Sequence, residues 1–210
     1  MDDNLAKDFK EAIQKADKIL IGIGFEFQRE TREEVLSAYH KIGKVIQGKD
    51  YFILTLCTDD IIYEADFDSD RIVAPCGSEH RYQCIQNCYS SLFSEEEYKS
   101  GSLCPNCGSE LVQNTVETEK YNESGYLPQW KVYTEWLQKT MNKNIVLIEL
   151  GCTMHYPGII RFPFEKIGLY QNKASLFRIN ESISQIPADI AGKAYEIHEN
   201  AVTYVRNTFV

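Results

Sequence analysis

Apolar runs and amphipathic segments alternate along most of the chain. The apolar runs predict buried strands at residues 18–23, 51–56, 144–150 and 175–179, with a short strand at 71–73. The amphipathic segments predict helices at residues 5–17, 31–47, 128–142 and 188–206, with shorter helices at 59–65 and 163–169. Strands that alternate with helices are typical of a parallel sheet with helices on both faces. The pattern therefore predicts an α/β fold.

Particular residues refine two of these helices. Thr31 is suited to cap the second helix, because Glu34 follows three residues later, as in a capping box. The apolar positions of the third helix are Trp130, Tyr133, Leu137 and Met141. We expect the aromatic residues of this helix to pack in the core rather than to bind a ligand.

The character of the sequence changes between about Gly77 and Thr118. Cysteine, glycine and polar residues dominate there, and the long periodic runs stop. We interpret this stretch as a module inserted into the larger fold. The predicted division assigns residues 1–78 and 118–210 to the larger domain and residues 79–117 to the module.

Four of the seven cysteines have the spacing of a zinc site. Three residues separate Cys84 from Cys88, and a CPNCG motif with Cys104 and Cys107 follows after 15 more residues. Two such pairs supply the four thiolates of the tetrahedron that Zn²⁺ prefers. Four cysteine ligands leave no open position, so the predicted zinc is structural. Two disulfides, or four unrelated buried thiols, are the alternatives.

Composition narrows the class of protein. Of 210 residues, 43% are hydrophobic and 25% are charged, as in a globular domain. The net charge of −9 disfavours a nucleic-acid partner, because an acidic surface repels phosphate groups. The sequence shows no bilayer-spanning apolar run and no signal-peptide pattern, so we expect no membrane partner and a cytoplasmic location. Cysteines are mostly reduced there, which favours zinc over disulfides.

Small and polar residues follow three of the predicted strands. GIGFEF, which contains Gly22 and Gly24, ends the first strand, TLCTDD ends the second and LGCT ends the third. The carboxyl ends of parallel strands lie at the edge where open α/β sheets bind ligands, so we expect these loops to form one crevice. A glycine-rich turn allows a pyrophosphate to approach the backbone, although two glycines equally suit an ordinary strand-to-helix turn.

Taken in order, these segments resemble the sirtuin family. The matching stretches are ILIGIG, YFILTLCTDDIIYEADFDSDRIVAPCG, the two cysteine pairs, IVLIELGCTMHYPGIIRFPFEKI and SLFRIN. They are most similar to the macrodomain-linked branch called class M, whose motifs include a GAG turn, a TTNVD strand end, a PQG or PHG loop, a zinc ribbon and an LELG segment followed by PGII. The resemblance covers most of the chain. It implies a Rossmann-like sheet, a zinc-ribbon module and an NAD site between them.

The resemblance also implies roles for individual residues. The matching cofactor-binding positions are Gly22, Gly24, Phe25, Cys57, Asp59, Gly151, Cys152 and Thr153. The family's catalytic base, a His or in class M a Gln, falls on Cys76. His155 falls in the loop that meets the acyl or protein substrate, although a loop histidine is equally compatible with simple exposure.

Several positions depart from the family pattern. Cys57 stands where sirtuins have an asparagine that holds the nicotinamide ribose, and Phe25 and Glu26 stand where the turn has a small residue. The segment between this turn and the second strand is also much shorter than in sirtuins. Because a thiol accepts a proton only as thiolate, with an ordinary pKa near 8.5, Cys76 needs a positive neighbour such as His80.

Other interpretations of these residues remain open. Cys76 is compatible with a nucleophile, a redox-sensitive thiol or an inert small residue. Asp59 suits a cap of the next helix as well as a ligand contact. We expect a sirtuin-like NAD-site protein, ancestrally an NAD-dependent deacylase or ADP-ribosyltransferase, with weak or lost activity. The alternative is a non-catalytic, zinc-stabilised module that binds a protein or nucleotide partner.

Overall fold

The computed structural model describes residues 3–98 and 101–209. Nine strands run through this part of the chain: β1 (Lys18–Ile23), β2 (Tyr51–Thr55), β3 (Ile72–Val73), β4 (Gly77–Cys84), β5 (Phe93–Ser94), β6 (Leu111–Thr115), β7 (Ile145–Leu150), β8 (Ala174–Ile179) and β9 (Ala194–Ile197). Five α-helices accompany them: α1 (Asp3–Lys15), α2 (Arg32–Ile46), α3 (Leu127–Gln138), α4 (Arg161–Tyr170) and α5 (Ala201–Thr208). Short 3-10 helices separate β2 from β3 and β8 from β9, so strands and helices alternate except between β3 and β6.

Six parallel strands form the main sheet, in the order β3-β2-β1-β7-β8-β9. Ile21 in β1, for example, pairs with Ile53 in β2 and with Ile148 in β7. The central strands are buried on both faces, which explains why they are continuous apolar runs in the sequence. The order of the strands reverses between β1 and β7, so the switch point of the sheet lies there.

Helices cover both faces of this sheet. On one face α1, α2 and α5 pack against the strands through Phe9, Tyr39 and Val205. On the other face α3 and α4 pack through Trp136 and Phe164. Within the described residues, none of the helices combines the length and the apolar character that crossing a bilayer requires. The predicted α/β fold, with a parallel sheet between two helical layers, is confirmed.

A small antiparallel sheet interrupts the larger fold. It has the order β5-β4-β6 and lies between β3 and α3 in the chain, where the sequence predicts an inserted module. Its own apolar cluster is centred on Cys84, Cys104 and Leu111. Its first strand, β4, begins at Gly77. The predicted module boundaries at 79–117 stay a prediction.

A local sequence signal locates the start of α2 correctly, whereas the end of α3 differs from the prediction. Thr31 caps α2, and its Oγ1 accepts a hydrogen bond from the backbone N–H of Glu34. Trp136 in α3 is buried, as expected for a core aromatic residue. However, α3 ends at Gln138, so Met141 lies beyond the helix and is 62% exposed. The predicted extension of α3 through Met141 is therefore wrong.

The prediction of a single helix over residues 188–206 is also wrong. This segment forms a 3-10 helix at Ala188–Lys193, then β9, and only then α5. β9 pairs with β8 from Ala194 opposite Leu176 onwards and completes the parallel sheet. The helical spacing of the apolar residues in this segment is only a weak local preference. The backbone hydrogen bonds between β9 and β8 outweigh it.

Candidate functional site at the carboxyl edge of the sheet

The loops that follow β1 and β7 meet at the switch point of the sheet. The backbone N–H of Gly24 donates a hydrogen bond to the carbonyl oxygen of Leu150 at 2.8 Å. The N–H of Leu56 in turn donates to the carbonyl oxygen of Ile23 at 2.8 Å, which joins the end of β2 to the same edge. Open α/β folds bind dinucleotides at this position. The three loops therefore form one crevice, as the sequence predicts.

The glycines of these loops allow neighbouring segments of the chain to pack closely, and they do not form an open surface for a ligand. A Cβ at Gly22 would lie 2.3 Å from Cγ2 of Ile160, and a Cβ at Gly24 would lie 2.3 Å from the carbonyl oxygen of Gly151. Gly151 has φ of +66°, a conformation that side chains other than glycine rarely adopt. Only glycine fits at these points, which favours the ordinary structural interpretation of the GIG turn.

A cavity of about 640 Å³ opens between this edge and the inserted module. Its wall on the side of the sheet is formed by Phe25, Gln28, Arg29, Thr58, Cys76, Thr153 and His155. Its wall on the side of the module is formed by Glu79, Gln113, Thr115, Val116 and Glu117. Among the predicted site residues, Phe25, Cys76 and Thr153 thus contact the same space.

Hydrogen bonds tie the two walls together at the base of the cavity. Nε2 of Gln28 donates to Oγ1 of Thr58 at 2.9 Å and to Oε1 of Glu79 at 3.0 Å. The Thr58 hydroxyl donates to the same Glu79 oxygen at 2.6 Å. These bonds connect the turn after β1, the end of β2 and strand β4. The relative position of the sheet edge and the module is therefore fixed at this point.

Aromatic and acidic side chains lie at the mouth of the cavity. The hydroxyl of Tyr156 donates to Oε1 of Glu117 at 2.8 Å, and Nε2 of His155 lies 3.5 Å from the same oxygen. These two contacts lower the pKa of Glu117, the tyrosine hydrogen bond most. The ring of Phe25 lies 5.6 Å from the ring of His155. His155 is therefore an exposed residue at the rim, in contact with the module.

Cys76 lies at the floor of the cavity with no exposed surface. Burial raises the pKa of its thiol to about 12, and the Glu117 carboxylate adds to the rise. His80, which the sequence suggested as a positive neighbour, instead has Nδ1 3.3 Å from a carboxylate oxygen of Glu95 on the exposed face of the module. The geometry favours an inert, protonated thiol over a base or nucleophile at Cys76.

Three other predicted site residues lie behind the crevice rather than on its surface. Cys57 is buried, with Sγ 3.4 Å from the carbonyl oxygen of Gly24. Cys152 is buried, and its carbonyl oxygen accepts a hydrogen bond from Nδ2 of Asn180. Asp59 accepts a hydrogen bond from the backbone N–H of Ile61 at 3.1 Å, so it stabilises the turn before the next 3-10 helix. This contact is an Asx turn, which favours a structural role for Asp59, although the N-cap position of the 3-10 helix itself is Asp60.

The four cysteines of the module converge on one point. Their Sγ atoms all lie within 4.8 Å of one another, and the Cys84–Cys88, Cys84–Cys107 and Cys88–Cys104 pairs are each separated by 3.5 Å. A tetrahedron with Zn–S bonds of about 2.3 Å has edges of about 3.8 Å, close to these separations. None of the seven cysteines forms a disulfide. The donor set and its geometry therefore suit a Zn²⁺ ion.

A second cavity of about 830 Å³ lies on the other side of the module. Its walls include Asp60, Tyr63, Arg81 and Tyr126. Oδ2 of Asp60 accepts a hydrogen bond from the hydroxyl of Ser78 at 2.5 Å. This cavity lies away from the switch point, so the smaller cavity is the better candidate for a dinucleotide site.

Sequence reasoning missed several polar residues of the smaller cavity, among them Gln28, Glu79 and Glu117. Their contacts join residues 21 to 51 positions apart, such as Glu79 with Thr58 and with Gln28. None of them belongs to a short motif with a defined spacing. No local signal in the sequence identifies them, because only the folded chain brings them together.

Comparison with known proteins agrees with this architecture. No family model matches the chain. A protein ADP-ribosyltransferase of Staphylococcus aureus (strain Mu50 / ATCC 700699) is 18% identical over 190 residues, which are 82% of this chain and 60% of that protein. A probable bifunctional ADP-ribose hydrolase/ADP-ribosyltransferase of Fusarium oxysporum f. sp. cubense is 25% identical over 144 residues, 57% of this chain and 24% of that protein. The chain thus spans less than two thirds of either relative.

Solved structures of Sir2 enzymes share the whole fold. One, described in work on the mechanism and regulation of Sir2 enzymes, superimposes with a TM-score of 0.67 at 13% identity and covers 100% of this chain and 97% of its own. A mutant Sir2 homologue in complex with ADP-ribose has a TM-score of 0.64 at 14% identity, with 100% and 95% covered.

The sheet, its switch-point crevice and the inserted module with four converging cysteines define a Rossmann-like protein that carries a second, smaller module. The chain has the sirtuin fold, and the resemblance predicted from the sequence is confirmed at this level.

Proposed function

We propose that the cavity at the switch point is a sirtuin-type NAD site, in a protein descended from NAD-dependent deacylases or ADP-ribosyltransferases and with weak or lost catalysis. The observation that carries the proposal is the position of the cavity of about 640 Å³, between the carboxyl ends of β1, β2 and β7 and the inserted module. A dinucleotide site is expected at this place in the fold. A solved neighbour with ADP-ribose and two relatives named as ADP-ribosyltransferases support the same ligand class.

The residues around this cavity support the proposal of weak or lost catalysis. A base that removes a ribose proton near neutral pH needs a pKa close to 7. Cys76 has a pKa of about 12 and therefore holds its proton. Cys57, at the position of the family's asparagine, is buried and has a pKa of about 12 for the same reason. Removal of even one transition-state contact typically lowers the rate by a factor of about 10² to 10³.

The four cysteines would hold a structural Zn²⁺ ion. Cys84, Cys88, Cys104 and Cys107 would complete its coordination, so the ion would stabilise the module and take no part in the reaction. The module supplies Glu79 and Glu117 to the cavity, and the metal would thereby support the site indirectly. Division of the chain into a larger domain and a small zinc-ribbon domain is part of this proposal.

Titration calorimetry of the zinc-loaded protein with NAD and with nicotinamide riboside tests the proposal. Saturable binding is expected, and Thr153→Trp should abolish it, because this side chain lies on the cavity wall. Asn172→Trp is the matched control, since Asn172 is exposed just before β8, at the opposite edge of the sheet. Absence of binding of both compounds up to about 1 mM, which corresponds to about −4 kcal/mol, would contradict the proposal.

A non-catalytic binding module for a protein or nucleotide partner is the second candidate. The observation that favours it is the fully buried Cys76, which offers no ionised group at the floor of the cavity. Measured release of nicotinamide from NAD separates residual catalysis from a purely binding role. NAD binding without release supports the binding module, whereas release that disappears in Thr153→Trp supports a residual enzyme.

A further inference from the structure

Glu26 fills one half of the crevice at the switch point. It lies in the turn that follows β1, three residues after Ile23, and is only 3% exposed. The cavity described above occupies the half of the crevice next to β2 and the module. Glu26 instead lies in the other half, above the ends of β7, β8 and β9.

Backbone groups from two of these strand ends bind the carboxylate of Glu26. Oε1 accepts a hydrogen bond from the N–H of Glu181, after β8, at 2.9 Å. Oε2 accepts a hydrogen bond from the N–H of Ala201, the first residue of α5, at 2.8 Å. A Cβ at Gly151 would lie 2.5 Å from Cβ of Glu26, so the side chain is also in close contact with the loop after β7. Glu26 thus connects three loops of the carboxyl edge.

These N–H groups are the kind of donors that hold a phosphate. An N-terminus of a helix and free backbone N–H groups at the carboxyl edge of a parallel sheet attract anions. Burial raises the pKa of Glu26, whereas its hydrogen bonds to Ala201 and Glu181 lower it. These hydrogen bonds therefore offset only part of the free energy that is lost when the charged carboxylate is removed from water. A ligand that carries a diphosphate offers the same donors a stronger partner.

The open half of the crevice, which is the cavity of about 640 Å³ described above, does not favour an anion. Its polar wall carries the carboxylates of Glu79 and Glu117 and only one full positive charge, that of Arg29. This half suits a cationic or neutral ring, such as the pyridinium of NAD, better than a diphosphate. The two halves therefore match the two ends of a dinucleotide, but Glu26 occupies the anion-binding end.

We propose that Glu26 acts in cis as a substitute for the diphosphate of a dinucleotide, so that the crevice accepts a whole dinucleotide only when this side chain moves out. The inference rests on the proposed NAD site and makes Glu26 the residue that determines ligand size. The wild-type protein binds the riboside end alone about as well as the whole dinucleotide. ADP, which lacks the riboside end, does not bind.

Calorimetric titrations with NAD, nicotinamide riboside and ADP test this inference on wild-type protein and on Glu26→Ala. The substitution should tighten NAD binding by at least about tenfold, which equals about 1.4 kcal/mol, and create measurable ADP binding. Nicotinamide riboside should bind both proteins equally. Glu26→Gln keeps the volume of the side chain but offers one acceptor oxygen to the two N–H groups, so its NAD affinity should lie between those of wild type and Glu26→Ala. Glu33→Ala, an exposed change in α2, is the charge-matched control.

The outcomes separate this inference from the proposed function. Equal NAD affinities of wild type and a folded Glu26→Ala, or tight ADP binding by wild type, would overturn the role of Glu26 and leave the NAD site intact. Failure of both proteins to bind NAD and nicotinamide riboside would overturn the proposed function itself. Glu26→Ser is tested in the same way if the alanine variant does not fold. If neither folds, the wild-type titrations with ADP and nicotinamide riboside decide.

Discussion

At the scale of single residues, the chain combines reactive side-chain types with surroundings that make them inert. Cys57, Cys76 and Cys152 lie close to the crevice, yet each is buried. Burial raises the pKa of Cys57 and Cys76 to about 12 and that of Cys152 well above its ordinary value. Neutral thiols of this kind are small packing groups, because the thiolate is the nucleophilic form.

These thiols predict a specific dependence of stability on pH. An unfolded thiol loses its proton near pH 8.5, whereas Cys57 and Cys76 keep theirs until about pH 12. Above pH 8.5 the unfolded state thus binds fewer protons, and the free energy of unfolding falls as pH rises, by up to about 1.4 kcal/mol per pH unit and thiol. Urea unfolding between pH 7.5 and 9.5 measures the slope. Cys57→Ala/Cys76→Ala should flatten it, and an unchanged slope would count against buried neutral thiols.

At the scale of secondary-structure elements, an ionic cluster joins two central strands to a helix. Arg178 in β8 and Glu149 in β7 have no exposed side-chain surface and are 2.8 Å apart. Arg178 also lies 2.9 Å from Glu165 in α4, and Arg161 lies 3.3 Å from Glu149. Burial opposes the charge of Arg178, but the carboxylates of Glu149 and Glu165 raise its pKa, so the guanidinium stays charged.

Arg178→Met should destabilise the fold. The substitution removes one of the positive charges that compensate the buried carboxylate of Glu149. The free energy of unfolding, measured by urea denaturation, should therefore fall by about 3–5 kcal/mol. Glu149→Leu/Arg178→Met should recover more than half of this loss, because the pair is then replaced by apolar groups. A loss below about 1 kcal/mol in the single variant would show that Arg161 alone is sufficient to compensate the charge of Glu149.

At the scale of the whole molecule, the inserted module forms one wall of a site whose other wall belongs to the sheet. Gln28 and Thr58 hold Glu79 of β4 across this boundary. Order in the module is therefore linked to the shape of the cavity. Since the apolar cluster of the module is small, the four cysteines are the main candidates for its stabilisation.

Removal of the metal tests this link. Purified protein should contain one zinc per chain by mass spectrometry, and Cys107→Ser should lower that content. The same substitution should weaken NAD binding by at least about tenfold, because Glu79 and Glu117 lose their fixed positions. Circular dichroism should show that the helices packed against the main sheet persist. Glu96→Ala, an exposed change in the module, is the control, and full NAD affinity without zinc would refute the link.

Much of the fold follows from the sequence, because local patterns carry it. Continuous apolar runs mark β1, β2, β7 and β8 within one or two residues, since strands buried on both faces need no alternation. Thr31 marks the start of α2 because capping involves neighbouring residues only. The CPNCG spacing brings Cys104 and Cys107 together for the same reason. These features depend on residues that are close in the chain.

Only the tertiary structure decided the rest, because the interactions concerned join distant residues. The strand character of β9 depends on its pairing with β8, which outweighs a helical pattern. Glu26 contacts Glu181 and Ala201, more than 150 positions away, and no motif predicts that a turn residue accepts hydrogen bonds from these two backbone groups. Burial, which sets the pKa of Cys76, is likewise a property of the whole fold. The sequence by itself thus determined the architecture and the metal ligands to be tested, whereas the folded chain determined which groups meet in the crevice.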